Sequence, residues 1–495
     1  MGAPPKKYIK LNGIMKLNPE YKRYKENENK AAAGPMAVAA PATTVMNSSQ
    51  ALPIVSSMED YEKMNDNLGE TPLAESTVAT IEMLQEPEIA AEAGLNSDDM
   101  IDELGKILGK YECPIGLLNK LMMLSEYASL EFIIDDSGSM TLATDTVDPK
   151  TRRNITRWAE AQMRLKEMIE IVAYVPFNQI GIEFLNRKNR ISLKRNGRAP
   201  KDFLSDAYSQ IDAVFRQGPS GTTPALEKLK ESLLRGQGTN IARYFFGDGV
   251  PNGGRRAIEQ ITQLLLDRSD PESNPVTFIS CTNEDEAVEW MKDAEEVSLT
   301  ERRKRIITLL YKLNGLDWIG LEVLQFGSRL FIIFCCFSIP NFVCFVFVFV
   351  FQIALYCSES DDFADEAKEV YRDQGAALPY SKGFHLICQW VAAMNPEDLD
   401  AMDESIPFTK FTLDNLLGVV SNEETYRHYF ESFVKAQQAR RIEIDERTGM
   451  PSKLDTVRKQ TRWDYNSFLR AEGTRKKISQ VGDYQEQLRR AASGH

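Results

Sequence analysis

Three short segments of this chain hold side chains suited to a hard cation: Asp135-Asp136-Ser137-Gly138-Ser139-Met140, Gly221-Thr222-Thr223-Pro224 and Gly247-Asp248-Gly249. An ion such as Mg²⁺ takes about six oxygens at roughly 2.0–2.1 Å in near-octahedral array, from carboxylates, hydroxyls and water. The D-x-S-x-S alternation puts the oxygens of Asp135, Ser137 and Ser139 on one side of a tight loop. Gly138 is expected to let the backbone turn sharply between the two serines. A threonine and Asp248, from two other loops, would close the coordination sphere. Asp136 falls off the alternation and reads as a supporting or surface carboxylate.

The elements around these segments explain how they could meet. LEFIIDD is a short apolar run rich in Ile and Phe that ends in carboxylates, as a buried strand does where it emerges. A helix is expected from about Asn154, its cap, with Trp158, Ala161, Leu165, Met168 or Ile169, and Val172 along one stripe. QIGIEFLN, IARYFFGD and PVTFISC read as further strands. DFLSDAYSQIDAVF, ALEKLKESLL, RRAIEQITQLLLDR and DEAVEWMKDAEE read as helices. Such alternation predicts an α/β fold: a doubly wound, mostly parallel sheet flanked by helices, Rossmann-like, with helical N- and C-terminal extensions. In a sheet of that kind all three segments lie at the carboxyl ends of strands, where ligands are held.

The five positions, in chain order on this pattern, resemble the von Willebrand factor A domain, whose metal-ion-dependent adhesion site reads D-x-S-x-S, then Thr, then Asp. The resemblance covers about residues 125–296. It implies metal roles for Asp135, Ser137, Ser139 and Asp248, and for Thr223, with Thr222 the alternative. It also implies Mg²⁺ as cofactor, with Mn²⁺ or Ca²⁺ as substitutes, and a protein partner whose Glu or Asp completes the ion's coordination. Arg157-Trp158 and Gly181-Ile182-Glu183-Phe184-Leu185-Asn186 resemble an intracellular branch of the family. The chain departs from plainer members by inserting TLATDTVDPKTRRN between Met140 and the helix, a loop that would overhang the metal.

Other chemistry is poorly supplied. There are 3 histidines and 7 scattered cysteines, without zinc-type pairs or a dense disulfide framework. DDSGSM is not a nucleophile elbow, and no general base stands near it in sequence, so an enzyme is not expected and no residue is assigned a catalytic role; a metal-dependent hydrolase is the distant alternative. A net charge of −13 argues against nucleic acid as a partner. The N-terminus lacks the apolar core of a secretory signal, and Lys6 stands where a myristoylation motif wants Ser or Thr. A cytoplasmic, intracellular scaffold or adaptor is the expectation, with a membrane-tethered adhesion or signalling protein as the alternative.

That alternative rests on Leu330–Cys357, 28 residues without a charge, where about 20 suffice to span a bilayer core. The same run admits two more readings: a buried helical insert, or translated intron. Val297-Ser298 is what GTAAGT encodes in frame, Phe351-Gln352 fits TTTCAG after a pyrimidine tract, and removal of 297–352 would join KDAEE to IALYCSESDD. The expected organisation is a disordered segment 1–57, a helical lead-in 58–126, the A domain 127–296, the apolar insert 297–352, a helical extension 353–433 and a charged helical tail 434–495.

Overall fold

A computed structural model describes residues 73–85, 97–148, 151–282, 357–394 and 407–439, with positions 284, 287–292, 294, 399, 402 and 465 and the backbone of strands at 8–11, 14–17, 321–326, 329–338 and 343–352. Its centre is a six-stranded sheet. The strands are β1 (Ser129–Ile134), β4 (Ile180–Phe184), β5 (Ile191–Leu193), β6 (Ile241–Gly247), β7 (Val276–Ser280) and β8 (Cys357–Ser360). Their order is β8-β7-β6-β1-β4-β5, parallel throughout except that β5 runs antiparallel to β4. β2 (Ala143–Val147) and β3 (Asn154–Thr156) form a separate antiparallel hairpin.

Every residue of β1, β4, β6 and β7 is buried, because helices cover both faces and leave no side for a polar alternation. One face carries α3 (Arg157–Val172) and α4 (Pro200–Phe215), the latter begun by a proline whose missing N–H costs nothing at a first turn. The other carries α5 (Ala225–Arg235), α6 (Arg255–Leu266) and the helical residues 287–292, packed on Ile133, Phe245 and Phe278. The first face is closed by helices from both ends of the chain. They are α1 (Glu75–Leu84), α2 (Ser97–Tyr111), the short turns between Ile115 and Glu126, and α7 to α10 (Phe363–Gln374, Lys382–Val391, Lys410–Leu417, Glu423–Ala439). Trp390 is central to that packing: its ring meets Phe132 at 5.3 Å and Tyr244 at 4.7 Å. Its carbonyl accepts from the Tyr244 hydroxyl at 2.7 Å and its Nε1 donates to Met168 O at 3.1 Å, so each buried polar group of the pair has a partner.

Four expectations change. The helix after the first loop starts at Arg157 with Thr156 as its cap, not at Asn154, because Asn154–Thr156 pair with Ala143–Val147 and the chain is still extended there. Two edge strands, β5 and β8, stand where no strand was expected. Within the segment expected to be disordered, Tyr8–Leu11 and Ile14–Leu17 pair antiparallel; the rest of 1–57 lies outside the described residues. The apolar run is extended backbone and not a helix: Arg329–Ser338 pairs with both Leu321–Phe326 and Val343–Gln352. Its Val-Phe alternation has the period and the β-branched and aromatic content of a strand. Among the described residues no helix is long and apolar enough to cross a membrane. Of the charged tail, only Tyr465 and the residues up to Ala439 are described.

Candidate metal centre

The three segments do converge at the carboxyl end of the sheet. β1 and β6 are adjacent and parallel, so Asp135 and Asp248 leave the sheet side by side, and Asp135 N donates to Phe246 O at 2.9 Å. The first loop then folds back: Ser137 N donates to Asp135 Oδ1 at 2.7 Å, and a short 3₁₀ turn runs from Gly138 to Thr141. The hydroxyls of Ser137 and Ser139 lie 2.9 Å apart, and Ser139 Oγ donates to Asp248 Oδ1 at 2.8 Å. Four of the five expected ligands therefore form one connected set.

The threonine loop is laced to this set through its backbone. Gly138 N donates to Gly221 O at 3.2 Å and Ser220 N to Asp136 O at 2.7 Å. Gly221 has φ +121, and a Cβ there would sit 2.6 Å from Asn186 Cγ, so the left-handed turn and the close approach both require glycine. The glycine expected to permit the turn, Gly138, has no left-handed backbone. The two threonines differ. Thr222 Oγ1 accepts from Asn252 Nδ2 at 2.8 Å, whereas the Thr223 hydroxyl makes no hydrogen bond among the described residues. Asn252 also fixes the Thr223 backbone, accepting from its N–H at 3.1 Å.

Charge is distributed unevenly. Asp136 is fully buried and not a surface group; its Oδ1 accepts from Asn186 N at 2.8 Å, and its Oδ2 lies 3.1 Å from Arg187 Nε, an ion-pair contact outside hydrogen-bond geometry. Asp248 Oδ2 lies 3.2 Å from Arg157 Nη1. Among the described residues no cation pairs with Asp135. Its Oδ2 is buried without a hydrogen-bond partner, and burial, with Asp248 and Asp136 nearby, pushes its carboxyl up to about 7 against the hydrogen bonds from Ser137. A buried carboxylate oxygen without a donor costs free energy unless a cation meets it. That orphan, beside two serine hydroxyls, an uncommitted threonine hydroxyl and a second carboxylate, is the donor chemistry of a hard divalent ion. Among the described residues no group of three His, Cys, Asp or Glu is placed to hold a metal ion.

Several contributors were not assigned a role from sequence. Trp290 is buried against Phe245 and Phe278, as its apolar setting predicts, yet its Nε1 also donates to Gly249 O at 3.1 Å and steadies the loop carrying Asp248. Arg157, Arg187 and Asn252 act through tertiary contacts that no local spacing announces. Leu142 and Val250 are exposed at 50% and 46%; Val250 directly follows the third loop and Leu142 lies two residues past the first.

No known family profile matches the chain, and no curated relative does. Among solved structures it is similar to the PilB minor pilin from Streptococcus sanguinis and to a point mutant of that pilin, at 12% and 11% identity and a TM-score of 0.27 each, covering 34% of this chain. It spans about half of those chains, 53%. It is also similar to manganese-loaded Plasmodium vivax TRAP protein, at 15% identity and a TM-score of 0.22, covering 48% of this chain and 95% of that one. Likenesses at this level carry no argument about function, which rests on the site itself.

Proposed function

We propose that this is a von Willebrand factor A-type protein whose adhesion site, formed by Asp135, Ser137, Ser139, Thr223 and Asp248, holds Mg²⁺ and through it a Glu or Asp side chain of a partner protein. The role is that of an intracellular scaffold or adaptor. The observation that carries the reading is the unpartnered, buried Oδ2 of Asp135 at the end of the Ser137–Ser139–Asp248 chain. The mostly parallel sheet with one antiparallel edge supports it at the level of fold. Bound there, the ion supplies an electrophilic coordination position for an incoming carboxylate. The protein's own residues do the rest. Ser137 and Ser139 offer neutral oxygens without adding charge, Asn252 leaves the Thr223 hydroxyl free, and Leu142 and Val250 supply dry surface around the polar contact.

The test is a displayed peptide library panned against the full chain. In Mg²⁺ the enriched peptides are expected to centre on Glu or Asp. Enrichment should vanish with EDTA and with Asp135→Ala. Enrichment that is indifferent to both would contradict the proposal.

A further inference from the structure

Two of the three carboxylates at the site are already answered by arginines, and this determines what the site can attract. Arg187 faces Asp136 and Arg157 faces Asp248, while Asp135 stands alone. Counting these three carboxylates and two arginines, the cluster keeps about one net negative charge; Glu284, which also pairs with Arg157, is exposed and screened by solvent. A divalent ion would invert that sign and leave the loaded site a net acceptor of anions. Were both arginines neutral, the same ion would leave the site still negative and repel a carboxylate.

Of the two, Arg157 is the one tied to a proposed metal ligand. It is the first residue of α3, its side chain is only 5% exposed, and its backbone N–H donates to Leu142 O at 2.9 Å. The inserted hairpin β2–β3 leads directly into it, so the added segment sets where the guanidinium stands. Its Nη1 faces Asp248 Oδ2 at 3.2 Å and its Nη2 donates to Glu284 Oε1 at 2.6 Å. Glu284 is on the surface, its side chain 67% exposed. The bridge Glu284–Arg157–Asp248 therefore connects the solvent to the third loop.

We infer that Arg157 is a specificity-determining positioning residue: by offsetting Asp248 it weakens the site's hold on the cation and makes the loaded site select an anionic ligand. This rests on the proposed metal site. Arg157 contacts Asp248 and Glu284 and acts on the site through Asp248. A merely structural role would lower both affinities together, whereas a charge-setting role moves them in opposite directions.

The experiment measures Mn²⁺ binding to the full chain by water-proton relaxation, then titrates acetate as the carboxylate probe. Arg157→Met is expected to bind Mn²⁺ about tenfold tighter and acetate several-fold weaker, since one charge removed within a partly buried site is worth about 1.4 kcal/mol or more. Arg157→Lys, which keeps the charge, should remain within about threefold of wild type for both. Because Arg157 is buried and its replacement by Met can cost folding, Glu284→Gln provides an independent arm at the surface. Loss of that negative charge should weaken Mn²⁺ and strengthen acetate by about twofold each. If wild type binds no Mn²⁺, or binds it no better than Asp135→Asn, the metal site itself is wrong. If wild type binds and Asp135→Asn does not, but Arg157→Met and Glu284→Gln leave both affinities unchanged or shift them in the same direction, the site stands and the inference about Arg157 falls.

Discussion

Glu131 and Asp135 stand four residues apart, one within β1 and one just past its end, both fully buried, and the chain treats them in opposite ways. Burial alone would raise the Glu131 carboxyl, but the Ser232 hydroxyl, Arg235 and Arg243 outweigh it and hold the group below its ordinary value. Arg190 adds a further contact at 3.2 Å, and Arg235 reaches the same oxygen at 2.9 Å. At Asp135 burial wins, one oxygen is left without a partner, and the carboxyl rises to about 7. The mid-strand carboxylate is completed by this chain's own cations; at the strand end one oxygen has no partner among the described residues, and the proposed site would complete it with a cation from outside. Buried charge is thus structural in one place and, in the proposed function, an open coordination site in the other.

The largest expected effect is on the self-sufficient side. Glu131→Gln leaves the buried Arg243 without its carboxylate partner, while Arg235 keeps Glu183 and Glu231, and should cost about 3–5 kcal/mol in urea unfolding, with or without Mg²⁺. Asp135→Asn should do the reverse. The folded-state value of about 7 lies above that of an unfolded Asp, about 3.9. Between those values the folded chain keeps a proton the unfolded chain has lost, so metal-free stability falls as pH climbs from about 4 to about 7. Asp135→Asn should flatten that slope and stabilise the metal-free chain at pH 8 by on the order of 4 kcal/mol at most, about 3 pKa units at roughly 1.4 kcal/mol each. Thermal melts across that range, with Mg²⁺ and with EDTA, check both points; a slope that survives Asp135→Asn would place its origin elsewhere.

Smaller effects sharpen the comparison at the threonine loop. Gly221→Ala, at φ +121 and against Asn186, should lose about 1–2 kcal/mol by calorimetry and blunt the response to Mg²⁺. Thr223→Val should leave stability within about 0.5 kcal/mol while lowering Mg²⁺ affinity at least about tenfold by titration calorimetry. Thr222→Val, which breaks the Asn252 contact, should show the opposite balance. The smallest expected effect is none. β7 and β8 pair in parallel through one crossover, and 297–352 falls inside it. Without that segment, residues 281–296 and 353–356 still join the strands, and those twenty residues exceed the dozen or so a crossover needs. Deletion of 297–352 should leave the melting shift produced by Mg²⁺ unchanged, and a lost shift would show the segment is required.

The motif could be read from sequence because its information is local. D-x-S-x-S, Thr and Asp are short patterns at strand ends, and buried parallel strands such as Ile241–Gly247 are apolar runs too long to mistake. The missed elements are those defined by a neighbour. Ile191–Leu193 is three residues long and is a strand only because β4 lies beside it. Cys357–Ser360 has three polar residues of four, follows the apolar run, and is held by β7. The late start of α3 came from the β2–β3 pairing, which outcompetes a helix cap at Asn154. Arg157, Arg187 and Trp290 reach the site across the fold, and their contribution becomes visible only when distances replace spacings.

The most direct test of the central claim is calorimetric titration of Mg²⁺ into the full chain at pH 7.5, beside Asp135→Asn. One site is expected in the wild type and none in the variant, with the variant melting no lower than the wild type in EDTA. Equal binding by both chains, or no binding by either, would contradict it.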